Sequence, residues 1–515
     1  MAEEKQSIWL VLIAIILGTF VAVLNNSLIN VAIPQLVNVF GSDTQTIQWV
    51  LTGYMLSSAV VIPLSGYLGG RFGNKTLFVG SLIAFMIGSL LCGLAWNASS
   101  LIFFRVLQGI GGGFIMPVGM TFIYSVIPRE KIGMALGIWG IAAMAAPAIG
   151  PTLGGYLMDV FSWRMLFLIS VPAALFAVVM CSSLLPETKK NSELVLDRAG
   201  TVLSIVGCGA LLFALSKGQS EGWSSFYIVS ILLVAIFSLI LFVWVEMNTK
   251  NPLLDLRLFK IMPFTISVIT ASMVMIGMMG GIFLMPIYLQ NIQGMTAVQS
   301  GWLLMPQSIA MALMMPISGR LFDKFGVIPL GLVGLTIMGI TTVELHQLAM
   351  DTSTHWLNTI LTIRGIGIGL CMMPLSTVGM NAVPKQLVGV ASPLSNVIRQ
   401  VFASFGIALL TAVMQSRQTV LGADISEHVS VTNDTATQFI SGITGMYVQS
   451  GLDTTSATAG AMTVLAGLIQ KEAAVRAIAD TFLVSAIPIF VSIPLLFFFI
   501  KRKKTVELTD QGSAQ

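Results

Sequence analysis

Uninterrupted apolar runs, each close to 20 residues, recur along this 515-residue chain from one end to the other. A helix needs about 20 residues to cross roughly 30 Å of hydrocarbon. Backbone amides and carbonyls find no partners in lipid, so only helices or closed barrels can satisfy them there. Barrel strands would alternate polar and apolar residues, whereas these runs are apolar throughout. Composition agrees: 56% of residues are hydrophobic and 9% charged. A water-soluble globule carries about 25% charged residues and could not coat its surface with so few. The expected fold class is all-α and integral to a membrane.

Breaks at charged, Gly/Pro and Asn/Asp clusters predict fourteen spans, near 8–33, 47–69, 76–96, 101–125, 133–158, 164–185, 199–216, 226–246, 263–289, 298–318, 328–349, 357–382, 389–415 and 474–500. The first run leads into Asn- and Pro-containing sequence rather than a small-residue cleavage site, so it is expected to remain as a span. An even number places both termini on one side. Eighteen of the 26 basic residues fall on that side, among them Arg71, Lys75, Arg320, Lys324 and Lys501 to Lys504. Five fall opposite (Arg164, Lys217, Arg417, Lys471 and Arg476), and Arg105, Arg364 and Arg399 lie within spans. The excess of basic residues in cytoplasmic loops makes both termini cytoplasmic. The four cysteines are isolated within apolar runs and the three histidines are scattered, a spacing that suits neither a metal site nor a disulfide framework.

The chain repeats itself. Gly66-Tyr67-Leu68-Gly69-Gly70-Arg71-Phe72-Gly73-Asn74-Lys75 closes the second span, and Gly319-Arg320-Leu321-Phe322-Asp323-Lys324-Phe325-Gly326 closes the tenth. An Arg-Gly cluster follows each, Arg105 to Gly109 and Arg364 to Gly367. The same basic turn followed by the same arginine span indicates two bundles related by an axis along the membrane normal.

On these motifs the chain resembles the major facilitator superfamily, and within it the fourteen-span drug:proton antiporters. Residues 66–75 resemble that superfamily's cytoplasmic loop motif, Arg105 to Gly113 its fourth-span motif, and Gly150-Pro151-Thr152-Leu153-Gly154-Gly155 the antiporter motif of the fifth. Leu24 to Pro34 is similar to the first-span signature of this branch; Trp163-Arg164, Pro252 to Leu256 and Ser395 to Gln400 are further family-like stretches. The resemblance implies two six-helix bundles, 1–185 and 263–500, with a cytoplasmic linker at 186–198 and two additional helices with their following loop at 199–262. An external segment, 416–473, is too polar to span, and 501–515 forms a basic cytoplasmic tail.

Several residues are candidates for the working parts. Asn25, Asn26 and Asn30 are amides in an otherwise apolar first span and should face the bundle interior. Close relatives often place aspartate at position 25, where a carboxylate could attract cations; asparagine cannot. Asn25, Asn26 and Asn30 are expected to line the substrate cavity together with Trp49, Tyr54, Met275, Met279, Asn396 and Arg399, methionine because flexible thioethers suit varied shapes. Charged groups within spans are functional by default. The resemblance gives Arg105 a role in proton coupling, with Glu344 and Asp480 as further candidates. Small residues let helices approach closely in lipid: Ala142, Ala146, Gly150 and Gly154 recur every four residues on the fifth span, where Pro147 and Pro151 should bend the helix. This stripe is expected to slide between the halves. Gly66, Arg71, Gly73, Gly319, Asp323 and Gly326 complete the gating set. Gly70 stands where the family usually has aspartate in the first turn, so a charge lock there is not expected.

Other classes fit poorly. Gly69 to Thr76 nearly spells a phosphate loop, but Asn74 replaces the required glycine and no strand precedes it. No clustered ligands or nucleophile–base pair suggests an enzyme, no metal or nucleic-acid site is visible, and a channel's repeated filter is missing. The expectation is a cofactor-free exporter of small amphipathic compounds in a bacterial plasma membrane, driven by the proton motive force through alternating access. Its partners would be those substrates, protons and the bilayer. Export of one endogenous lipid-like metabolite or fatty acid, and an accessory envelope protein, stay open.

Overall fold

The computed structural model describes residues 2–502 apart from 31, 189, 192, 250, 251, 385, 386 and 430–433. The described side chains also exclude those at 2–8, 30, 34, 44, 45, 129–131, 133, 141–145, 147, 148, 151, 152, 159, 297, 428, 434, 435 and 500–502. Asn30, Pro147, Pro151 and Ala142 of the expected site fall among these, as does most of the tail 501–515.

The first half contains α1 (Ala2–Asn30), α2 (Ile33–Phe40), α3 (Thr44–Val61), α4 (Leu64–Phe72), α5 (Asn74–Gly93), α6 (Ala98–Val126), α7 (Arg129–Val160), α8 (Met165–Leu168) and α9 (Ser170–Leu184). The pair α10 (Arg198–Glu221) and α11 (Phe226–Asn248) follows. The second half contains α12 (Met262–Ile287), α13 (Ala297–Phe325), α14 (Val327–Glu344), α15 (Thr354–Asn381), α16 (Val388–His428), α17 (Asp434–Gln449) and α18 (Thr454–Leu495). Among the described residues there is no strand. Among the described residues, twelve helices are long and apolar enough to cross a bilayer, and α3 with α4, bent by 58°, makes thirteen. The 32-residue α7 lies where the fifth span is expected. The bend falls at Ile62-Pro63, where proline cannot donate a helical hydrogen bond.

Polar caps start the helices at the end opposite the basic turns. Asp43 Oδ1 accepts from Thr46 N at 2.8 Å, and Asn97/Ser100 and Thr296/Gln299 form capping boxes. At the basic end, Gly73 (φ +90°) and Gly326 (φ +79°) close the two repeated turns in left-handed backbone. A side chain is strained there, and this accounts for the matched glycines of the repeat.

The helices pack as two sets, α1 to α9 and α12 to α18, while α10 and α11 pair with each other and α10 bridges α3 and α16. The sets meet where α7 lies along α13 and where α4 and α6 touch α16. The buried core is asymmetric. Towards the basic end one cluster joins both sets, bringing Leu12, Phe78 and Ile123 together with Phe264, Met380 and Leu394. At the opposite end the cores are separate, one around Leu28, Leu101 and Phe167 and another around Leu284, Tyr288 and Phe482. The apolar cores of the two halves thus merge towards the basic end and stay separate at the other, although α7 runs along α13 between them.

α16 and α18 run 41 and 42 residues, about twice the 20 that span a bilayer. Their distal halves, with α17 packed along α18, build the expected external segment 416–473 as a helical projection.

Candidate functional site

Six helices of the first half converge on one guanidinium. Arg105, on the second turn of α6, is fully buried. Its Nε donates to the Val50 carbonyl at 2.8 Å, Nη1 to Gln108 Oε1 at 2.6 Å and Asn25 Oδ1 at 3.1 Å, and Nη2 to Asn26 Oδ1 at 3.4 Å. The Tyr54 ring lies under it, 4.2 Å from centroid to the guanidinium carbon, a cation–π contact. Gln108 Nε2 extends the network to Asn25 Oδ1 (3.1 Å) and Ser89 Oγ (2.6 Å), and Asn25 Nδ2 reaches Ser170 Oγ at 2.9 Å. The ion pairs among the described residues do not include Arg105. Neutral oxygens and an aromatic face alone solvate its charge. A guanidinium does not give up its proton in a protein, so this is a permanent positive site.

Close approach of helices builds the network. A methyl group on Gly113 would meet Val61 Cγ2 at 2.6 Å and Ser58 Cα at 2.8 Å; one on Gly88 would meet Gln108 Cα at 2.6 Å. Glycine at these points lets α3 and α5 draw up to α6, within reach of its polar side chains.

The candidates separate on inspection. Asn25 is fully buried, with its hydrogen bonds satisfied internally; it faces the protein rather than a cavity, contrary to expectation. Asn26, half-buried, is the amide at the edge of the network. Tyr54 belongs to the network, but Trp49 does not: it stacks on Phe213 of α10 at 5.6 Å, beneath Lys217. Met275 and Met279 pack against the second half's core beside Met311 and Met338.

Arg399 and Asn396 stand at the seam between halves. Arg399 Nη2 donates to Asn396 Oδ1 at 3.0 Å and Nη1 to Ser376 Oγ at 3.3 Å, with Met120 of the first half beside it. Arg399, Ser376, Ser267 and Met120 line a void of about 10 Å³, room for a single water. The sequence analysis did not select Arg364, although the repeat pointed to it. It is fully buried, donating to Thr342 Oγ1 (3.1 Å) and the Gly277 carbonyl (2.8 Å), and its Nη1 has no partner among the described residues.

The expected sliding stripe is turned elsewhere. Methyl groups at Gly150 and Gly154 would strike Ser27 and the Leu28 carbonyl of α1, within the first half. Among the glycines of α7, Gly137, Gly140 and Gly155 are pressed on α13, against Pro316, Met315 and Val298. Spacing by four defines one helical face, but not which neighbour covers it.

The first basic turn is strapped by the linker. Arg71 Nη1 donates to the Leu194 carbonyl at 2.7 Å, Asn74 N to Thr188 Oγ1 at 2.7 Å, and Asn191 N to the Gly70 carbonyl at 2.9 Å; Lys75 pairs with Glu187 at 3.4 Å. A Cβ on Gly70 would lie 2.8 Å from Leu194, so the missing aspartate makes room for the strap. Gly66 faces α16, where its Cβ would lie 3.2 Å from the Gly389 carbonyl. In the second copy Asp323 is exposed on α13 after Gly319.

The acidic candidates lie at the end opposite the basic turns. Glu344, last residue of α14, accepts from Gln347 at 2.7 Å. Asp480 on α18 pairs with Arg417 of α16 at 2.5 Å and sits 3.6 Å from His346.

The Major Facilitator Superfamily model matches residues 15–407. YhcA of Bacillus subtilis (strain 168), an uncharacterized MFS-type transporter, is 39% identical over 84% of this chain and 81% of its own. The multidrug export protein EmrB of Escherichia coli (strain K12) is 32% identical over 86% and 87%. Among solved structures, the human organic anion transporter MFSD10 superposes with a TM-score of 0.64 over 95% of this chain and 99% of its own, at 11% identity, a likeness of fold alone.

Proposed function

Because this chain belongs to the major facilitator superfamily, whose members are transporters and not enzymes, we propose that it exports small amphipathic or hydrophobic compounds in exchange for protons. The asymmetric core carries this reading. One cluster joins both halves towards the basic end, and separate clusters lie at the other. Cores joined at one end and separate at the other are what one of the two states of alternating access calls for. Relatives such as the multidrug export protein give the direction. In this proposal the chain crosses a bacterial plasma membrane fourteen times with both termini cytoplasmic, as two six-helix bundles with α10 and α11 between them.

Arg105 cannot carry the transported proton, since it stays charged. Its role is to hold α1 against α3 and α6 and to keep cations away from that side of the cavity, leaving Asn26 and Arg399 as the polar groups nearest the seam. Asp480 and Glu344 remain the proton candidates. Protonating Asp480 would weaken its pairing with Arg417 and so the tie between α16 and α18. The driving force suffices, because one charge moving through 100 mV releases about 2.3 kcal/mol, besides any pH gradient.

The test is ΔpH-driven uptake into inside-out vesicles across neutral, cationic, anionic and fatty-acid compounds, with proton flux followed in parallel. Uptake of several unrelated amphipaths that stimulates proton release is expected. Uptake of a single compound, or uptake unaffected by collapsing the gradient, would overturn the proposal.

A further inference from the structure

We propose that the external projection formed by α16, α17 and α18 is itself a binding site for uncharged amphipathic small molecules, separate from any cavity within the membrane. The three helices enclose an open chamber of about 940 Å³, at the upper end of the range of ligand pockets. Its walls include Ile440, Val448, Met462, Leu465 and Ile469. These apolar side chains face a hollow in a segment too polar to enter the bilayer.

The chamber's chemistry selects the ligand. Among the described residues none that lines the chamber is charged, and the polar ones are hydroxyls and the Gln449 amide. Thr444 lines the chamber, and its Oγ1 is shut off from solvent with no hydrogen-bond partner among the described residues. An atom closed to water is closed to a ligand too, so the hydrogen-bonding groups a ligand can reach are the outer hydroxyls of the chamber, Ser441 and Thr458 among them. Two ion pairs among the described residues lie below the chamber: Arg476 with Glu472 on α18, and Arg417 with Asp480, which ties α16 to α18. An anion or cation entering would leave its water without gaining a counter-charge. A neutral molecule with an apolar body and one or two hydrogen-bonding groups satisfies each of these conditions. A second protein or a phospholipid, with its charged headgroup, does not.

Position adds to the case. α16 and α18 pass without interruption from the membrane into the chamber's walls, so a ligand bound there touches the same helices that carry Arg399 and Asp480. Occupancy can therefore be felt within the membrane through rigid helices.

The proposal does not depend on the exporter reading, because binding is measured with no gradient applied. The full chain in nanodiscs would be photolabelled with a neutral diazirine-bearing amphipath, and the labelled peptides mapped. Label is expected on 436–469, competed by the unmodified compound and not by its quaternary-ammonium analogue. A Cβ on Gly445, which lines the chamber, meets nothing within 4 Å, so Gly445→Trp can fill the space without disturbing the helix. It should cut labelling by about tenfold. Gly442→Trp, also in open space but outside the chamber, should leave it unchanged. Equal labelling in both variants, labelling confined to membrane helices, or a co-purified phospholipid occupying the chamber would each overturn the proposal.

Discussion

Arg105 shows what a single residue can and cannot announce from sequence. Its place in a span predicted function but left open whether it rises to the headgroups; its complete burial beneath four acceptors closes that route. Arginine's planar fork reaches several acceptors at once, and an ammonium cannot. Arg105→Lys should lower transport by about tenfold or more, equivalent to about 1.4 kcal/mol, with normal expression; efflux assays in intact cells would measure it, and wild-type efflux would show the fork to be dispensable. Asn25 teaches the opposite lesson. A polar residue in an apolar helix was legible as inward-facing, but which inward surface it meets depends on packing. Since its Oδ1 already lies 3.1 Å from Arg105 Nη1, Asn25→Asp should form an ion pair with that guanidinium rather than recruit cations. Efflux of matched neutral and cationic analogues should therefore keep the wild-type ratio. A shift towards cations would place residue 25 against substrate instead.

Most of the helices were legible, because hydrocarbon thickness fixes the length of a span and lipid forbids an unpaired backbone; the break between α3 and α4 and the run of α16 and α18 past the bilayer length were not. Nor were the helices' partners. Four-residue spacing on α7 pointed to a smooth face, and the structure presents Gly150 and Gly154 to α1 while Gly137 meets α13. Small residues line more than one side of this helix, so periodicity could not choose between neighbours. A Cβ at Gly137 would lie 2.7 Å from Pro316 Cα and 2.9 Å from the Met315 carbonyl, both backbone atoms that cannot rotate away. Gly137→Leu should therefore push α7 off α13, at a cost of about 1–3 kcal/mol, and lower the melting temperature of the purified protein along with its transport. Gly80→Leu, on α5, is the matched control: its Cβ meets nothing within 4 Å. An unchanged melting temperature for Gly137→Leu would show that the α7–α13 contact yields easily.

At the scale of the molecule, the repeat predicted two like-built halves, and the merging of their cores at one end only is the property that sequence could not carry. A chain that alternates has two packings of comparable stability, and its residues must suit both; the pattern of apolar positions is the same in each. What distinguishes the described state is which surfaces touch, and those contacts can be made permanent. Gly66 on α4 would place its Cβ 3.8 Å from Val390 Cα on α16, so the two backbones approach closely enough for a disulfide, whose Cα atoms lie about 4.4–6.8 Å apart. The four native cysteines are buried, so they should contribute little background. Gly66→Cys combined with Val390→Cys should cross-link under mild oxidation, stop transport completely and recover on reduction. Substrate offered from the external side should still bind the locked protein, whereas substrate offered from the cytoplasmic side should not. Transport that persists in fully cross-linked protein would mean that this end never needs to open, and that solute passes by some route other than rocking of the two halves.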